Sequence, residues 1–145
     1  MIDIDHFKSV NDQFGHDCGD QVLRFVASRL RGIGLGPVYR YGGEEFTIVT
    51  TSMDLQTFKD ALEQVRALVE ESNFTVRSAH RPRRNPTDDS KEKSERRTKR
   101  VPLTVSIGAA QSSSDRPNPE EVIATADRAL YRAKKTGRNR ISVIR

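Results

Sequence analysis

Residues 38–49 read Val38-Tyr39-Arg40-Tyr41-Gly42-Gly43-Glu44-Glu45-Phe46-Thr47-Ile48-Val49. Two strand-like segments flank a glycine pair and two carboxylates, which is the pattern of a tight β-hairpin. A glycine pair supplies the positive φ values that a two-residue turn needs, and it lets a bulky ligand approach the backbone. The stretch therefore predicts a hairpin with acidic groups at its tip.

A second acidic cluster begins the chain, Met1-Ile2-Asp3-Ile4-Asp5. Apolar and carboxylate side chains alternate in it, so Asp3 and Asp5 share one face of a predicted strand. Two acid-bearing strands can meet around a hard cation, although a short Asp-x-Asp alone is weak evidence for a metal site. The polar, glycine-containing segment that follows, residues 6–20, strengthens the metal interpretation.

The composition is that of one domain. The chain has 145 residues, of which 34% are hydrophobic, enough for a single core. No apolar run approaches the roughly 18 residues of a membrane-spanning helix, and no export leader is evident. The single cysteine, Cys18, excludes an internal disulfide. We expect a cytoplasmic domain, whether or not the full-length protein is tethered to a membrane.

The net charge of +5 is concentrated in one stretch. Residues 77–100 hold ten Lys or Arg and four Asp or Glu, a net +6, whereas the rest holds 15 basic and 16 acidic residues, a net −1. The stretch has no aromatic side chain that could stack on a base. We therefore predict a basic flexible insertion at residues 78–100 within a domain of residues 1–145, and no nucleic-acid partner.

Apolar periodicity and turn residues predict the other elements. Asn118-Pro119 and an acidic residue at the third helical position indicate a helix start, and Gly137 indicates its C-terminal cap. The predicted helices are a short helical turn at 9–13, a helix from Gly19 or Asp20 to the loop at 32–37, and helices at 54–71 and 119–135. The first predicted strand ends near Asp5, and further strands are predicted at 38–41, 46–49, 74–77, 103–108 and 141–144. This order predicts an α+β domain with a mostly antiparallel central sheet flanked by helices.

The segment after the first acidic cluster carries Phe7-Lys8, Asn11-Asp12, Gly15-His16 and Gly19-Asp20. Together with the hairpin, it resembles the catalytic domain of diguanylate cyclases, the GGDEF family. The family pattern is Asp-x-Asp-x-Phe-Lys-x-x-Asn-Asp-x-x-Gly-His-x-x-Gly-Asp, and the similarity continues through residues 129–139. It implies a ferredoxin-like fold related to polymerase palms.

Members of this family carry a helix and the start of the first strand ahead of the first Asp cluster. The resemblance therefore implies that the domain lacks its usual N-terminal helix and that Met1 is an internal residue of a longer protein. It also implies an upstream sensor domain in that protein.

The resemblance assigns the metal ligands. It implies that Asp3, the backbone carbonyl of Ile4 and Glu44 bind two Mg²⁺ ions, with Mn²⁺ as an alternative. Mg²⁺ takes few protein carboxylates because phosphates and water complete its shell. Asp5 and Glu45 are further candidates, and each could instead hold the local backbone or orient water.

Catalysis and phosphate binding follow from the same resemblance. Glu44 is the implied base toward a ribose 3′-hydroxyl, and Lys8 is implied to stabilise charge on the phosphorus oxygens. A salt bridge is the alternative for Lys8. Lys134 and Arg138 match positions that contact the triphosphate tail, although cations at a helix C-terminus are also favoured by the macrodipole.

Guanine recognition is implied for Asn11 and Asp20, because a carboxylate and an amide can match the guanine edge. His16 is placed close to the nucleotide. The alternative for Asp20 is a helix cap, and for His16 a local turn contact.

The resemblance implies a diguanylate cyclase that condenses two GTP into cyclic di-GMP and two pyrophosphates across a homodimer. One alternative is a catalytically silent module that binds GTP or cyclic di-GMP and regulates an attached domain. Another is a nucleotide cyclase of different base choice. Many relatives carry a product-binding Arg-x-x-Asp ahead of the hairpin, and here Ile33 and Gly36 occupy those positions. We therefore expect no feedback inhibition through that site.

Overall fold

The computed structural model describes residues 1–51, 53–72, 74–76, 99–114 and 118–144. These residues form four helices and seven strands. In chain order they are β1 (Ile2–Ile4), α1 (Phe7–Phe14), α2 (His16–Gly32), β2 (Val38–Gly42), β3 (Glu45–Ile48), α3 (Leu55–Glu70), β4 (Phe74–Val76), β5 (Lys99–Val101), β6 (Val105–Ala110), α4 (Pro119–Lys135) and β7 (Ile141–Ile144).

Five strands form the central sheet in the order β2-β3-β1-β6-β7. All neighbours are antiparallel except β6 and β7, which run parallel. Strands β4 and β5 form a separate antiparallel pair. The predicted α+β class and mostly antiparallel sheet are confirmed, and β1, which carries the first acidic cluster, lies at the centre of the sheet.

The core packs on both faces of this sheet. Ile2 and Ile4 of β1 are 1% and 0% exposed and belong to a large cluster with the apolar faces of α2 and α3. On the other face Met1, Ala126 and Leu130 form a smaller cluster. Helix α4 therefore covers the face of the sheet toward which Asp3 also points.

Local signals set the ends of α3 and α4. Asp54 caps α3, where its side chain accepts hydrogen bonds from the N–H groups of Gln56 and Thr57. Helix α4 begins after Asn118 as predicted, although the Asn118 side chain makes no capping bond. After α4, Gly137 takes a φ of 121°, as expected for its position beyond the last turn.

Three predicted boundaries were wrong. Helix α1 covers Phe7–Phe14 rather than one short turn, and α2 begins at His16, ahead of its first apolar residues. Strand β6 runs from Val105 to Ala110 rather than over 103–108. It continues through Gly108 because residues 108–110 pair with β7, and α4 packs so closely on Gly108 that a Cβ would overlap its backbone.

The predicted insertion at 78–100 lies outside the described residues, apart from Lys99 and Arg100. These two residues belong to β5, which pairs with β4 and which the sequence did not predict. Among the described residues, no helix is both long and apolar enough to cross a bilayer.

Candidate active site

Asp3 lies in the middle of the sheet. Its Cα is opposite Glu45 of β3 on one side and Ser106 of β6 on the other. Lys134 of α4 donates a hydrogen bond to Asp3 Oδ2 at 2.7 Å, and the Asp3 side chain is only 4% exposed. Burial raises the pKa of Asp3, whereas the hydrogen bond and charge of Lys134 act in the opposite direction. A buried carboxylate held by an ammonium group therefore forms the centre of the site.

Glu44 lies in the two-residue turn between β2 and β3. Gly43 takes a φ of 36°, in the left-handed region that glycine adopts without steric cost. The prediction that both glycines need positive φ was wrong, because Gly42 still belongs to β2 and a register shift separates it from Arg40. The Glu44 carbonyl accepts a hydrogen bond from the Ile4 N–H at 3.3 Å, which ties the turn to β1.

Arg40 is a second support of this turn. Its Nε and Nη2 atoms donate to the carbonyl oxygen of Gly43 at 3.0 and 2.7 Å. The sequence did not indicate this role, since an exposed arginine on an edge strand gives no local signal of its partner. The contact closes the hairpin and helps to hold Glu44 in position.

The charge of Asp3 acts on Glu44, which precedes the residue that pairs with Asp3 on β3. The pKa of Glu44 is raised mainly by burial and then by the charge of Asp3, while Lys134 lowers it. Coulomb interactions between groups near a protein surface fade with distance and salt. The backbone geometry agrees: the pairing of Asp3 with Glu45 and the hydrogen bond from Ile4 to Glu44 place the Glu44 turn beside the strand that carries Asp3, and Lys134 contacts Asp3.

The donor set suits a hard divalent cation. Mg²⁺ prefers oxygen ligands and usually takes one or two protein carboxylates. Within the part of the chain that the structure describes, no group of three or more His, Cys, Asp or Glu side chains comes together. The site thus offers Asp3 and Glu44, with the Ile4 carbonyl as the predicted third oxygen. The Lys134 ammonium on Asp3 shows that a positive charge is accommodated there.

Asp5, whose charge acts on Asp3, is held by three hydrogen bonds. It is 5% exposed, and its Oδ1 accepts a hydrogen bond from Ser106 Oγ at 2.7 Å. Its Oδ2 accepts from Thr104 Oγ1 at 2.8 Å and from the Asn139 N–H at 3.0 Å. Both oxygens of Asp5 thus have protein donors, which link the start of β6 to the turn after α4.

Four predicted residues lie on α1 and α2, which pack together. Lys8 and Asn11 are on α1, His16 is the first residue of α2, and Asp20 follows one turn later. Lys8, His16 and Asp20 are exposed. The capping alternative for Asp20 is wrong, because α2 has already begun and Gly15 occupies its N-cap position.

Asn11 lies between the two helices. Its Oδ1 is buried and has no hydrogen-bond partner among the described residues. Gly19 faces it from α2, and a Cβ on residue 19 would overlap Asn11 Oδ1 and approach Phe7 to 3.1 Å. A buried amide oxygen without a donor is costly, so an unmet acceptor indicates a place for a ligand or water.

Arg138 follows the end of α4. Its backbone N–H donates to the carbonyl of Ala133 at 3.0 Å and so closes the helix. Its charge is among those that lower the pKa of Asp3. The macrodipole explains why cations end this helix, but it does not account for the direct contact of Lys134 with Asp3.

A family model described as "Diguanylate cyclase, GGDEF domain" matches residues 1–87 and 83–140. The chain belongs to the GGDEF domain family. The resemblance drawn from the two acidic motifs is thereby confirmed.

Curated relatives match nearly all of this GGDEF domain. It is 37% identical to the probable diguanylate cyclase DgcT of Escherichia coli, over 99% of the chain and 28% of the relative. It is 36% identical to the response regulator PleD of Caulobacter vibrioides, over 97% of the chain and 28% of the relative. The domain thus spans just over a quarter of the length of these two relatives.

Solved GGDEF domains share the fold. The GGDEF domain of DgcB from Caulobacter crescentus in complex with c-di-GMP superposes with a TM-score of 0.80 at 33% identity, covering 98% of this chain and 74% of that one. The active GGEEF domain of a Vibrio cholerae diguanylate cyclase gives a TM-score of 0.76 at 32% identity, covering 99% and 80%.

The segment ahead of the hairpin in this GGDEF domain has no charged pair at the expected product-binding positions. Ile33 follows α2 as its C-cap residue and packs against the core. Such an apolar side chain cannot pair with a phosphate as an arginine does. The absence of feedback inhibition through this site stays a prediction.

Glu44→Gln is expected to change the pH dependence of stability of this GGDEF domain. A carboxyl group whose pKa is raised by folding contributes stability at acid pH, and that contribution is lost as pH rises from the ordinary value, 4.5, through the raised value. Glutamine does not titrate. The melting temperature of the variant should therefore exceed that of the wild type above this window and approach it below.

Calorimetric melts in metal-free buffer at a series of pH values from acid to neutral check this expectation. Glu71→Gln, at the exposed end of α3, removes an equal charge far from Asp3 and serves as the control. A difference in melting temperature that is the same at every pH would contradict the raised pKa of Glu44.

Proposed function

We propose that the chain is the catalytic domain of a diguanylate cyclase, which condenses two GTP into cyclic di-GMP and two pyrophosphates. One observation carries the proposal: Asp3, the turn that holds Glu44 and the ammonium group of Lys134 lie together, and the charges of Asp3 and Lys134 both act on Glu44. Groups that attract divalent cations and groups that attract a triphosphate thus share one site. The names of the relatives and of the solved domains support the same reaction.

Asp3, Glu44 and the Ile4 carbonyl would hold Mg²⁺, which neutralises charge on the attacking and leaving oxygens when bound. Lys134 and Arg138 bind the β- and γ-phosphates and thereby orient the α-phosphorus. Lys8 stabilises the negative charge that builds on the phosphorus oxygens.

Each half-reaction transfers one proton and exchanges one phosphorus–oxygen bond. Glu44 accepts the proton of the 3′-hydroxyl as the general base of the site. The 3′-oxygen bonds to the α-phosphorus of the opposite GTP, while the bond from that phosphorus to the bridging oxygen breaks and its electrons leave with pyrophosphate. A second half-reaction closes the ring.

Guanine selection is assigned to α1 and α2. Asn11 offers an amide whose oxygen has no donor, and the Asp20 carboxylate accepts hydrogen bonds from guanine N–H groups. His16, at the start of α2, lies close to the bound nucleotide. ATP, which presents a different edge, is expected to compete poorly.

Turnover requires two copies of the chain. Each site binds one GTP, and the 3′-oxygen of one must meet the α-phosphorus of the other in line. We therefore expect a homodimer, at least transiently, and a specific activity that rises with protein concentration. A monomer should bind GTP without forming product.

The experiment is to incubate the purified chain with GTP and Mg²⁺ and to identify the products by chromatography and mass spectrometry. Cyclic di-GMP and pyrophosphate in a 1:2 ratio, abolished by a chelator, are expected. Tight GTP binding without any product would instead favour the silent regulatory module. Equal use of ATP would contradict the assigned base selection.

Gly19→Ala is expected to raise the KM for GTP about fivefold with a smaller effect on kcat. The added Cβ displaces the Asn11 amide, and the loss of one hydrogen bond costs about 1 kcal/mol. Initial rates over a range of GTP concentrations check this. Gly32→Ala, on the same helix with open space around its Cβ, is the matched control. An unchanged KM in Gly19→Ala would remove Asn11 from the base-binding site.

A further inference from the structure

The turn after α4 holds Arg138 in an uncommon backbone conformation. Arg138 and Asn139 have φ values of 61° and 44°, directly after Gly137 at 121°. Residues with a Cβ rarely enter this left-handed region, and two in succession persist only where neighbouring contacts hold them there. The turn therefore needs an external support.

Asn139 receives that support from three sides. Its backbone N–H donates to Asp5 Oδ2 at 3.0 Å. Its side-chain Nδ2 donates to Glu70 Oε1 at 2.7 Å, and its Oδ1 accepts from Arg66 Nη1 at 2.8 Å. Because arginine only donates and a carboxylate only accepts, these partners also determine which way the amide points. We call this set of four residues the Asn139 clasp.

Arg66 is itself directed toward Asn139. It lies on α3 with a side chain 16% exposed, and Glu63 and Glu70 of the same helix pair with it at 2.5 Å each. Glu63 takes its Nε and Nη2 atoms, and Nη1 is left for Glu70 and Asn139. The guanidinium is thus oriented before any ligand arrives, and α3 is linked to a turn 73 residues away in sequence.

We propose that Arg66 is a positioning residue for Arg138, acting through the Asn139 clasp to aim the Arg138 guanidinium at the phosphates of GTP. The inference rests on the proposed function, in which Arg138 contacts the triphosphate tail. Arg138 immediately precedes Asn139 in the chain, so a change in the backbone of Asn139 also changes the orientation of Arg138.

The test compares affinities for 3′-deoxy-GTP and 3′-deoxy-GMP by calorimetry in the presence of Mg²⁺. Neither nucleotide has the 3′-hydroxyl, so both bind without turnover, and only the first has β- and γ-phosphates. Arg66→Met should weaken 3′-deoxy-GTP binding about tenfold and leave 3′-deoxy-GMP binding unchanged. Arg138→Ala should do the same, and the double variant should bind no more weakly than Arg138→Ala alone.

Two further variants separate positioning from folding. Glu63→Gln keeps an acceptor for Arg66 and leaves the Asn139 contacts in place, so the ratio of the two affinities should not change. Asn139→Gly removes both side-chain contacts, tolerates the left-handed backbone and leaves α3 untouched. It should reproduce the effect of Arg66→Met, and it decides the matter if Arg66→Met does not fold.

An unchanged affinity ratio in folded Arg66→Met or in Asn139→Gly would overturn the positioning role, as would a double variant whose losses multiply. A wild-type chain with no preference for the triphosphate would overturn it as well. Product analysis is independent of these titrations. A wild type that shows the preference, loses it in Arg66→Met and yet makes no cyclic di-GMP would refute the proposed function alone.

Discussion

Glu44→Gln is expected to lower the rate of cyclic di-GMP synthesis by at least about a thousandfold. A general base contributes roughly a hundredfold to ten-thousandfold, and the amide can neither accept the 3′ proton nor supply a charged oxygen to Mg²⁺. Glu44 is assigned both tasks, so a single substitution removes both. The measurement is initial-rate product formation at saturating GTP.

The same variant should remain folded. Its amide is nearly the same size as the carboxyl group, and it removes the repulsion from the buried Asp3 carboxylate. The variant should therefore melt at or above the wild-type temperature near neutral pH while losing activity. Glu71→Gln should retain full activity. Synthesis by Glu44→Gln within tenfold of the wild type would exclude Glu44 as base and ligand.

Gly108→Val is expected to lower the free energy of unfolding by about 3 kcal/mol or more, as overpacking in a rigid core does. Gly108 lies on β6 beneath α4, where an added Cβ would overlap the backbone N of Leu130 and the backbone O of Ala126. Backbone atoms of a helix cannot rotate away as a side chain can. The helix must therefore separate from the sheet, and Lys134 on the same helix moves with it.

Urea unfolding followed by circular dichroism measures this loss. The expected loss of about 3 kcal/mol is a large share of the free energy of unfolding of a domain, which is roughly 5–15 kcal/mol. Activity should fall as well, since Lys134 pairs with Asp3 across the same interface. Gly32→Ala, which meets open space, should unfold near the wild-type midpoint. A wild-type midpoint for Gly108→Val would contradict the close contact between β6 and α4.

Elements with strong local signals were predicted well. The strands around the glycine pair, the helix that follows Asp54 and the helix that starts at Pro119 all appear near their predicted positions. Their boundaries depend on turn and capping residues a few positions away, and such interactions are present in the sequence itself. The start of α2 was predicted too late, because its first residues, His16 and Asp17, are polar and lie ahead of the apolar residues whose spacing indicates a helix.

Strand β5 shows what local reasoning cannot reach. Lys99-Arg100-Val101 continues a highly charged stretch, and nothing in its composition indicates a strand. Its pairing with β4 decides its structure, since backbone hydrogen bonds to a partner strand outweigh weak local preference. The hydrogen bonds from Arg40 to Gly43 and from Arg66 to Asn139 were not predicted either, because they too depend on the folded structure.

The amino-acid sequence alone determined the family of this domain, its α+β class, and the oxygen and ammonium groups available for a nucleotide. Tertiary structure decided which of these groups meet. The antiparallel register of β1 with β3 places Asp3 near the Glu44 turn, while Asp5, one residue past the end of β1, accepts hydrogen bonds from Ser106 and Asn139. Two similar carboxylates two residues apart thus have different partners because packing between distant segments, rather than local sequence, determines them.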